Sequence, residues 1–202
     1  MIKKVGILNY NSGNIRSIAS AINYIGYETV MLNQKSDFKD IDYVILPGVG
    51  AFGNCVKKLK KSFIYNLLKK NELKKPLLGI CVGFQLLFNR SDESPNQNGL
   101  SIFKEKFSKF PNSKNFKIPH VGWNEVKFKK NCNYFKKGYS YDFYFDHSYF
   151  LKNSKFSLCK SKHSVEFTSV VQRNNILACQ FHPEKSQKNG LEFLKYFFNY
   201  YG

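Results

Sequence analysis

The sequence of 202 residues predicts an α/β protein with a mixed, mainly parallel central sheet flanked by helices, joined by additional antiparallel strands. Three features point there: early strands that are continuously apolar rather than alternating, helical spacings between them, and glycine- or proline-marked turns at the strand ends. Lys4–Tyr10 reads as a buried strand, Asn11-Ser12-Gly13-Asn14 as a glycine turn, and Ile15, Ile18, Ala19, Ile22 and Ile25 as one face of a helix that stops at Gly26. Tyr27–Leu32 is a second strand, Asp37–Asp40 a polar linker, and Tyr43–Leu46 a third strand halted by Pro47-Gly48-Val49-Gly50. A helix is expected from about Asn54 to Asn71. Pro76–Ile80 is a fourth strand, leading through Cys81-Val82-Gly83 into a helix over Phe84–Asn89. Ile102–Val171 changes texture to short alternating segments punctuated by Pro and Gly, which predicts mostly antiparallel strands. Ile176–Phe181 is a last buried strand, and Gly190–Tyr200 a closing helix that packs Leu191, Leu194 and Phe198. Neither an internal repeat nor a linker divides the sequence, so residues 1–202 read as a single domain.

The composition, 43% hydrophobic and 23% charged, supports a full-sized core and argues against disorder. The longest uncharged apolar stretch, Pro76–Asn89, is short of the roughly 20 residues a bilayer span needs, and the first residues open no signal-peptide core. A soluble, cytoplasmic protein is expected. The net charge of +18 would by itself suggest a basic nucleic-acid-binding protein. Against that, 29 of the 32 basic residues are lysine, beside 21 Asn, 20 Phe and 13 Tyr, the residue types that AT-rich codons supply. The arginines that read bases bidentately are nearly absent, so no specific nucleic acid is expected. Five cysteines without a CxxC pair fit neither a disulfide framework nor a zinc site and are expected to be reduced.

Two motifs carry chemistry. Gly79-Ile80-Cys81-Val82-Gly83 is a Gly-x-nucleophile-x-Gly elbow between an apolar strand and a helix, where the flanking glycines permit a sharp turn and the helix N-terminus favours a thiolate. The same residues also fit a small buried cysteine on a glycine-rich turn. At Gln180-Phe181-His182-Pro183-Glu184 an apolar strand ends in an imidazole, followed two positions on by a carboxylate that can accept a hydrogen bond from it and fix its tautomer. Alone, such a turn is often structural. Together, at two strand ends of one α/β chain, they favour a Cys81-His182-Glu184 triad. Acyl transfer also needs oxyanion donors: the Val82 N–H is one candidate, and Val49 or Gly50 in the Leu46–Gly53 turn offers the second. That turn also fits a strand-to-helix loop or a phosphate cradle, though it lacks the Lys-Ser/Thr of a P-loop.

These residues resemble the class I (triad-type) glutamine amidotransferases, and within them the glutaminase subunits of imidazole glycerol phosphate synthase, which serve histidine biosynthesis. The resemblance rests on Asn9–Asn14, Leu46–Gly53, Pro76–Phe88, Ile118-Pro-His-Val-Gly-Trp-Asn124, Tyr144–Tyr149 and Gln180–Ser186. The similar glutaminases of pyridoxal phosphate synthesis usually carry Gly-Gly-Glu-Ser where this chain has Pro47-Gly48-Val49-Gly50. The resemblance implies a flavodoxin-like amidotransferase fold and glutamine hydrolysis through a thioester on Cys81, with no metal or other cofactor. It implies that ammonia passes to a (β/α)8-barrel cyclase subunit in a heterodimer. It places Gln85, Glu93, His147 and Ser148 at the glutamine pocket near Gly50, and a carboxylate such as Glu93 suits the substrate's α-ammonium. His120 and His163 are expected to be structural or surface residues. Asn14, Trp123 and Lys185 are candidate interface residues, Trp123 because an amphipathic ring in a glycine-flanked turn can anchor a contact.

The sequence departs from the family pattern at Val82 and Phe84, apolar for apolar, at Asp146 where Val is usual, and at Gly99-Leu100-Ser101 for Gly-Leu-Gly. These departures leave open a paralogous role, supplying ammonia to a surface-sugar amination enzyme.

Overall fold

A computed structural model describes residues 3–202. Parallel β1 (Lys4–Leu8), β2 (Glu28–Leu32), β3 (Tyr43–Leu46) and β4 (Leu77–Ile80) form one half of the central sheet. Between them run α1 (Ile15–Tyr24), α2 (Phe52–Lys60) and α3 (Tyr65–Lys69), and after the elbow α4 (Val82–Leu86). A short ladder of β5 (Arg90–Ser91), β6 (Lys106–Lys109) and β9 (Tyr149–Phe150) lies apart from it. The other half comprises β7 (His120–Phe128), β8 (Ser140–His147), β10 (Ser157–Lys162), β11 (Glu166–Arg173) and β12 (Ile176–Cys179), before the final helix α5 (Gln187–Tyr201). Among the described residues the main sheet has nine strands in the order β2-β1-β3-β4-β12-β11-β10-β7-β8. β12 runs parallel to β4, and from β11 outward every neighbouring pair is antiparallel. The textural change seen in the sequence after Gly99 is therefore the switch from parallel to antiparallel sheet.

Burial follows from sequence. β3, β4 and β12 are buried at every position, as expected for strands covered on both faces. β7 alternates, with exposed Val121, Trp123 and Glu125 on one side. Phe84, Phe88, Phe103 and Phe107 fill the core beneath the elbow helix at edge-on and stacked spacings of 4.8–5.2 Å.

Several boundaries differ from expectation, each for a local reason. The helix expected over 54–71 divides into α2 and α3, because Ser62 Oγ donates back to the Leu59 carbonyl at 2.7 Å and draws that acceptor from the helical ladder. The linker at 37–40 overlaps a 3-10 turn, Lys35–Phe38, capped by Asp37. α4 starts at Val82, directly after the cysteine, and α5 begins at Gln187 with Gly190 inside it. A Cβ on Gly190 would lie 1.9 Å from the Pro183 carbonyl oxygen, so this glycine permits close helix-to-turn packing rather than starting the helix. Trp123 stands in the middle of β7, not in a turn; Gly122 beside it has φ +124°. Among the described residues no helix is long and apolar enough to cross a membrane.

Candidate active site

The carboxyl ends of β3, β4 and β12, adjacent in the sheet, deliver the three chemical segments to one place. Cys81 sits at the end of β4 with φ +53° and ψ −110°, the strained elbow that the flanking glycines allow. Its N–H donates to the Cys179 carbonyl at 2.9 Å, and its carbonyl accepts from Gln85 N–H at 3.2 Å, starting α4. The elbow needs Gly83 because a Cβ there would lie 1.9 Å from the Leu46 carbonyl oxygen. Among the described residues all five cysteines are free. Burial raises the thiol pKa of Cys55, Cys132, Cys159 and Cys179, which disfavours their thiolates.

His182 follows β12. Its N–H donates to the Tyr144 carbonyl at 2.8 Å, and its carbonyl accepts from Ser186 Oγ at 2.6 Å. His182 Nδ1 lies 2.8 Å from Glu184 Oε1, with both side chains buried. A carboxylate there accepts a hydrogen bond from Nδ1–H and leaves Nε2 free to serve the thiol. Burial opposes a charge on this ring, but the charge and hydrogen bond of Cys81, with those of Glu184, lift its pKa to about 10. The ring therefore favours the imidazolium form beside the Cys81 sulfur.

A cavity of about 360 Å³ opens over these groups. Of the residues singled out in the sequence, Val49, Gly50, Cys81, Val82, Gln85, Glu93, His147, Ser148, His182 and Lys185 line it. Glu184 stands behind His182, while Asn14 and Trp123 are outside the cavity lining. Glu93 Oε2 accepts the Phe52 N–H at 2.7 Å, fixing the carboxylate at the start of α2. Gln85 Nε2 donates to Gln180 Oε1 at 3.2 Å, and Gln85 Oε1 is buried without a partner. The expected donor Val82 N–H is engaged here, donating to the Gly48 carbonyl at 3.3 Å.

The class I glutamine amidotransferase family matches residues 7–200. The chain belongs to that family. This glutamine amidotransferase is 40% identical to the imidazole glycerol phosphate synthase subunit HisH of Caldanaerobacter subterraneus, with 96% of each chain covered. It is 41% identical to the subunit of the same name from Methanocaldococcus jannaschii, over 96% of this chain and 97% of that one. In fold it resembles a structure of PurLQS from Thermotoga maritima, with a TM-score of 0.77 at 20% identity over 99% of each chain. The expected flavodoxin-like amidotransferase architecture is the one observed.

Sequence reasoning missed several residues around the amidotransferase site. Gln180 Nε2 lies 3.9 Å from Cys81 Sγ, and Ser186 ties the His182 turn to β8 through the Tyr144 N–H at 3.0 Å. Tyr144 joins two interface candidates: the Trp123 ring meets it edge-on at 6.3 Å, and Lys185 Nζ lies 5.3 Å from its centroid. Trp123 is half-exposed, with exposed Val49 and Val121 also among the large apolar side chains reaching solvent. His120 is fully enclosed rather than superficial, and His163 stacks on it at 4.3 Å. Burial, with the charge of His163, pushes His120 down to about 4; burial, with the neighbouring histidines, takes His147 to about 3. Of the family departures, Ser101 takes a left-handed φ of +59°, which explains why glycine is usual there, and its hydroxyl donates to Asn89 Oδ1 at 3.0 Å. Asp146 presents its backbone carbonyl 3.9 Å from Cys81 Sγ and lines the cavity.

Proposed function

We propose that residues 1–202 form one amidotransferase domain acting as the glutaminase subunit of an imidazole glycerol phosphate synthase. It would hydrolyse glutamine and hand ammonia to a (β/α)8-barrel cyclase subunit. The observation that carries this reading is the Cys81-His182-Glu184 arrangement at the floor of a cavity that also holds Gln85 and Glu93.

The chemistry follows from the groups present. The Cys81 thiolate attacks the side-chain amide carbon of glutamine, and the carbonyl π pair moves onto oxygen. Collapse of this oxyanion expels the amine, which takes the proton of His182 Nε2 and leaves as ammonia. Water then attacks the thioester while His182 takes its proton, releasing glutamate and regenerating the thiolate. Glu184 holds the imidazole orientation throughout. Glu93 receives the α-ammonium through the carboxylate oxygen not bonded to Phe52, and Ser148 and His147 line the same cavity as Gln85.

In the conformation seen, Gly48 carbonyl occupies the Val82 donor, so the oxyanion hole is open for assembly rather than assembled. Turning the Gly48–Val49 peptide would release Val82 N–H and present Val49 N–H beside it. A partner seated on Val49, Trp123 and Lys185, with Asn14 at the head of α1 as a further contact, biases that turn. The test is glutamate release by the chain alone and with a barrel cyclase carrying its nucleotide substrate. Activation by the cyclase supports the reading; activation only by a sugar-aminating enzyme keeps the chemistry and changes the pathway. Absence of glutamate release in both arms refutes it.

A further inference from the structure

The imidazoles of His120 and His147 enter none of the chemical steps; His120 opens β7, and His147 ends β8 and lines the cavity. The two residues face each other across β7 and β8, and both are buried. Their four ring nitrogens lie in one directed chain whose order is forced from its end. The Tyr149 carbonyl can only accept, so His147 Nδ1, 2.8 Å away, carries the proton. A neutral His147 then has an acceptor at Nε2, and His120 Nδ1, at 2.9 Å, must donate to it. His120 Nε2 is left as an acceptor, met at 3.1 Å by Asn124 Nδ2. The same amide nitrogen donates to the Lys162 carbonyl at 2.9 Å, which fixes the amide's orientation. Phe145 and His163 stack on the His120 ring at 4.8 and 4.3 Å and hold its plane.

The far end of this chain is the wall of the glutamine pocket. His147 Nδ1–H closes a turn onto Tyr149, and the Ser148 carbonyl within that turn accepts from Phe110 N–H at 3.0 Å. The segment 146–149 lines the cavity over Cys81. We infer that His120 and Asn124 are positioning residues for glutamine binding: they keep the proton of His147 on Nδ1 and so lock the turn against which the substrate packs. With the proton on Nε2, His147 Nδ1 and the Tyr149 carbonyl would be two acceptors facing each other, and the turn would open. This inference rests on the glutamine pocket proposed above.

His120→Phe keeps a ring in the stack but leaves His147 Nε2 without a donor, whereas His120→Asn returns an N–H near the position of Nδ1. In the complex with the cyclase, His120→Phe is expected to raise KM for glutamine about tenfold with kcat within about twofold, and His120→Asn to restore most of the loss. Nitrogen-15 spectra of the imidazoles are expected to show His147 protonated at Nδ1 in the parent protein and redistributed in His120→Phe. If His120→Phe does not fold, Asn124→Ala, which frees His120 Nε2 from the half-buried end, is expected to give a smaller rise of KM alone. An unchanged KM in the folded variant tested, an equal loss in His120→Asn, or an Nε2-protonated His147 in the parent overturns the inference. A parent complex without glutaminase activity overturns the pocket reading instead, and the spectra then decide the histidine chain by themselves.

Discussion

A single methyl group at Gly83 probes the packing that builds the site. The Cβ of an alanine there would lie 1.9 Å from the Leu46 carbonyl oxygen, 2.8 Å from its carbonyl carbon and 3.0 Å from the Pro47 oxygen, where ordinary contact begins near 3.4 Å. About 1.5 Å of separation must be found between backbone segments. Neither is free to give: Leu46 is paired with Gly79 in the sheet, and the other side of the same contact is Gly48, whose own Cβ would lie 2.6 Å from the Gly83 nitrogen. The movement therefore separates the elbow from the Pro47–Gly50 turn, drawing Val82 away from Val49. A displacement of about 1 Å at a reacting centre costs on the order of 100-fold in rate, and overpacking of this kind costs about 1–3 kcal/mol of stability. For Gly83→Ala the expected result is kcat/KM for glutamine lower by about 100-fold or more, with the thermal midpoint down by about 5 °C. Glutamate release and calorimetry on the complex with the cyclase measure both. Ammonia-driven amination by the same complex should survive, since it bypasses the elbow. A folded Gly83→Ala with kcat/KM within about threefold of the parent would refute the argument that these two turns must touch.

Cys81→Ala should abolish glutamine-dependent product formation while amination from added ammonium salts persists; His182→Ala should behave nearly alike, and Glu184→Ala should lose less because it removes an orienting group. Residual glutaminase in Cys81→Ala, assayed as glutamate, would displace the nucleophile. Acid sensitivity follows from His120 and His147, held at about 4 and about 3 in the folded chain against 6.5 when unfolded. Below about pH 6.5 the unfolded chain binds protons that the folded chain refuses, so their contribution is complete above that pH and stability falls as pH drops towards 4, by up to about 1.4 kcal/mol per pH unit for each ring. Urea titrations at pH 7.5, 6 and 5 read this, and their pH dependence should shrink in His120→Asn; an unaltered dependence contradicts the assignment. Duplex DNA or RNA should bind only weakly and lose affinity steeply with salt, so a sub-micromolar complex at physiological salt would restore the nucleic-acid reading.

The parallel half of the fold was legible because its strands are buried on both faces and read as unbroken apolar runs, and because glycine or proline marks where β3 and β4 end. The cysteine elbow and the His-Pro-Glu turn were legible for a related reason: Gly79 and Gly83 are needed by the close backbone contacts there, so the turns that present Cys81 and His182 leave a mark in the sequence. The antiparallel half gave only its texture. Trp123 looked like a turn residue because Gly122 adjoins it, whereas the strand continues through a glycine at positive φ. His120 looked structural or superficial because nothing local to residue 120 shows that residues 145, 147, 163 and 167 will enclose it; those contacts come from two other strands and a loop. The Gly83 contact with Leu46 is similarly nonlocal, and only the pairing of β3 with β4 brings it about.

Other nonlocal contacts hold the turn whose switching is proposed above. Tyr10 OH donates to the Pro47 carbonyl at 2.5 Å, and Ser12 Oγ donates to the Val49 carbonyl at 2.9 Å, so the peptides on either side of Gly48–Val49 are tied to the turn after β1. Between these ties, the Gly48 carbonyl is held by Val82 N–H at 3.3 Å. Breaking one such neutral hydrogen bond has a net cost of about 1 kcal/mol, and glycine at position 48 adds little resistance to the backbone rotation. A binding difference of about 3 kcal/mol between the two orientations, which would need a partner to bury half-exposed Val49 together with its neighbours more fully in one of them, would therefore shift the turn from mostly closed to mostly assembled. The ties at Pro47 and Val49 confine the proposed change to one peptide, so a partner completing the proposed oxyanion hole would leave Cys81, His182 and the strands that carry them undisturbed.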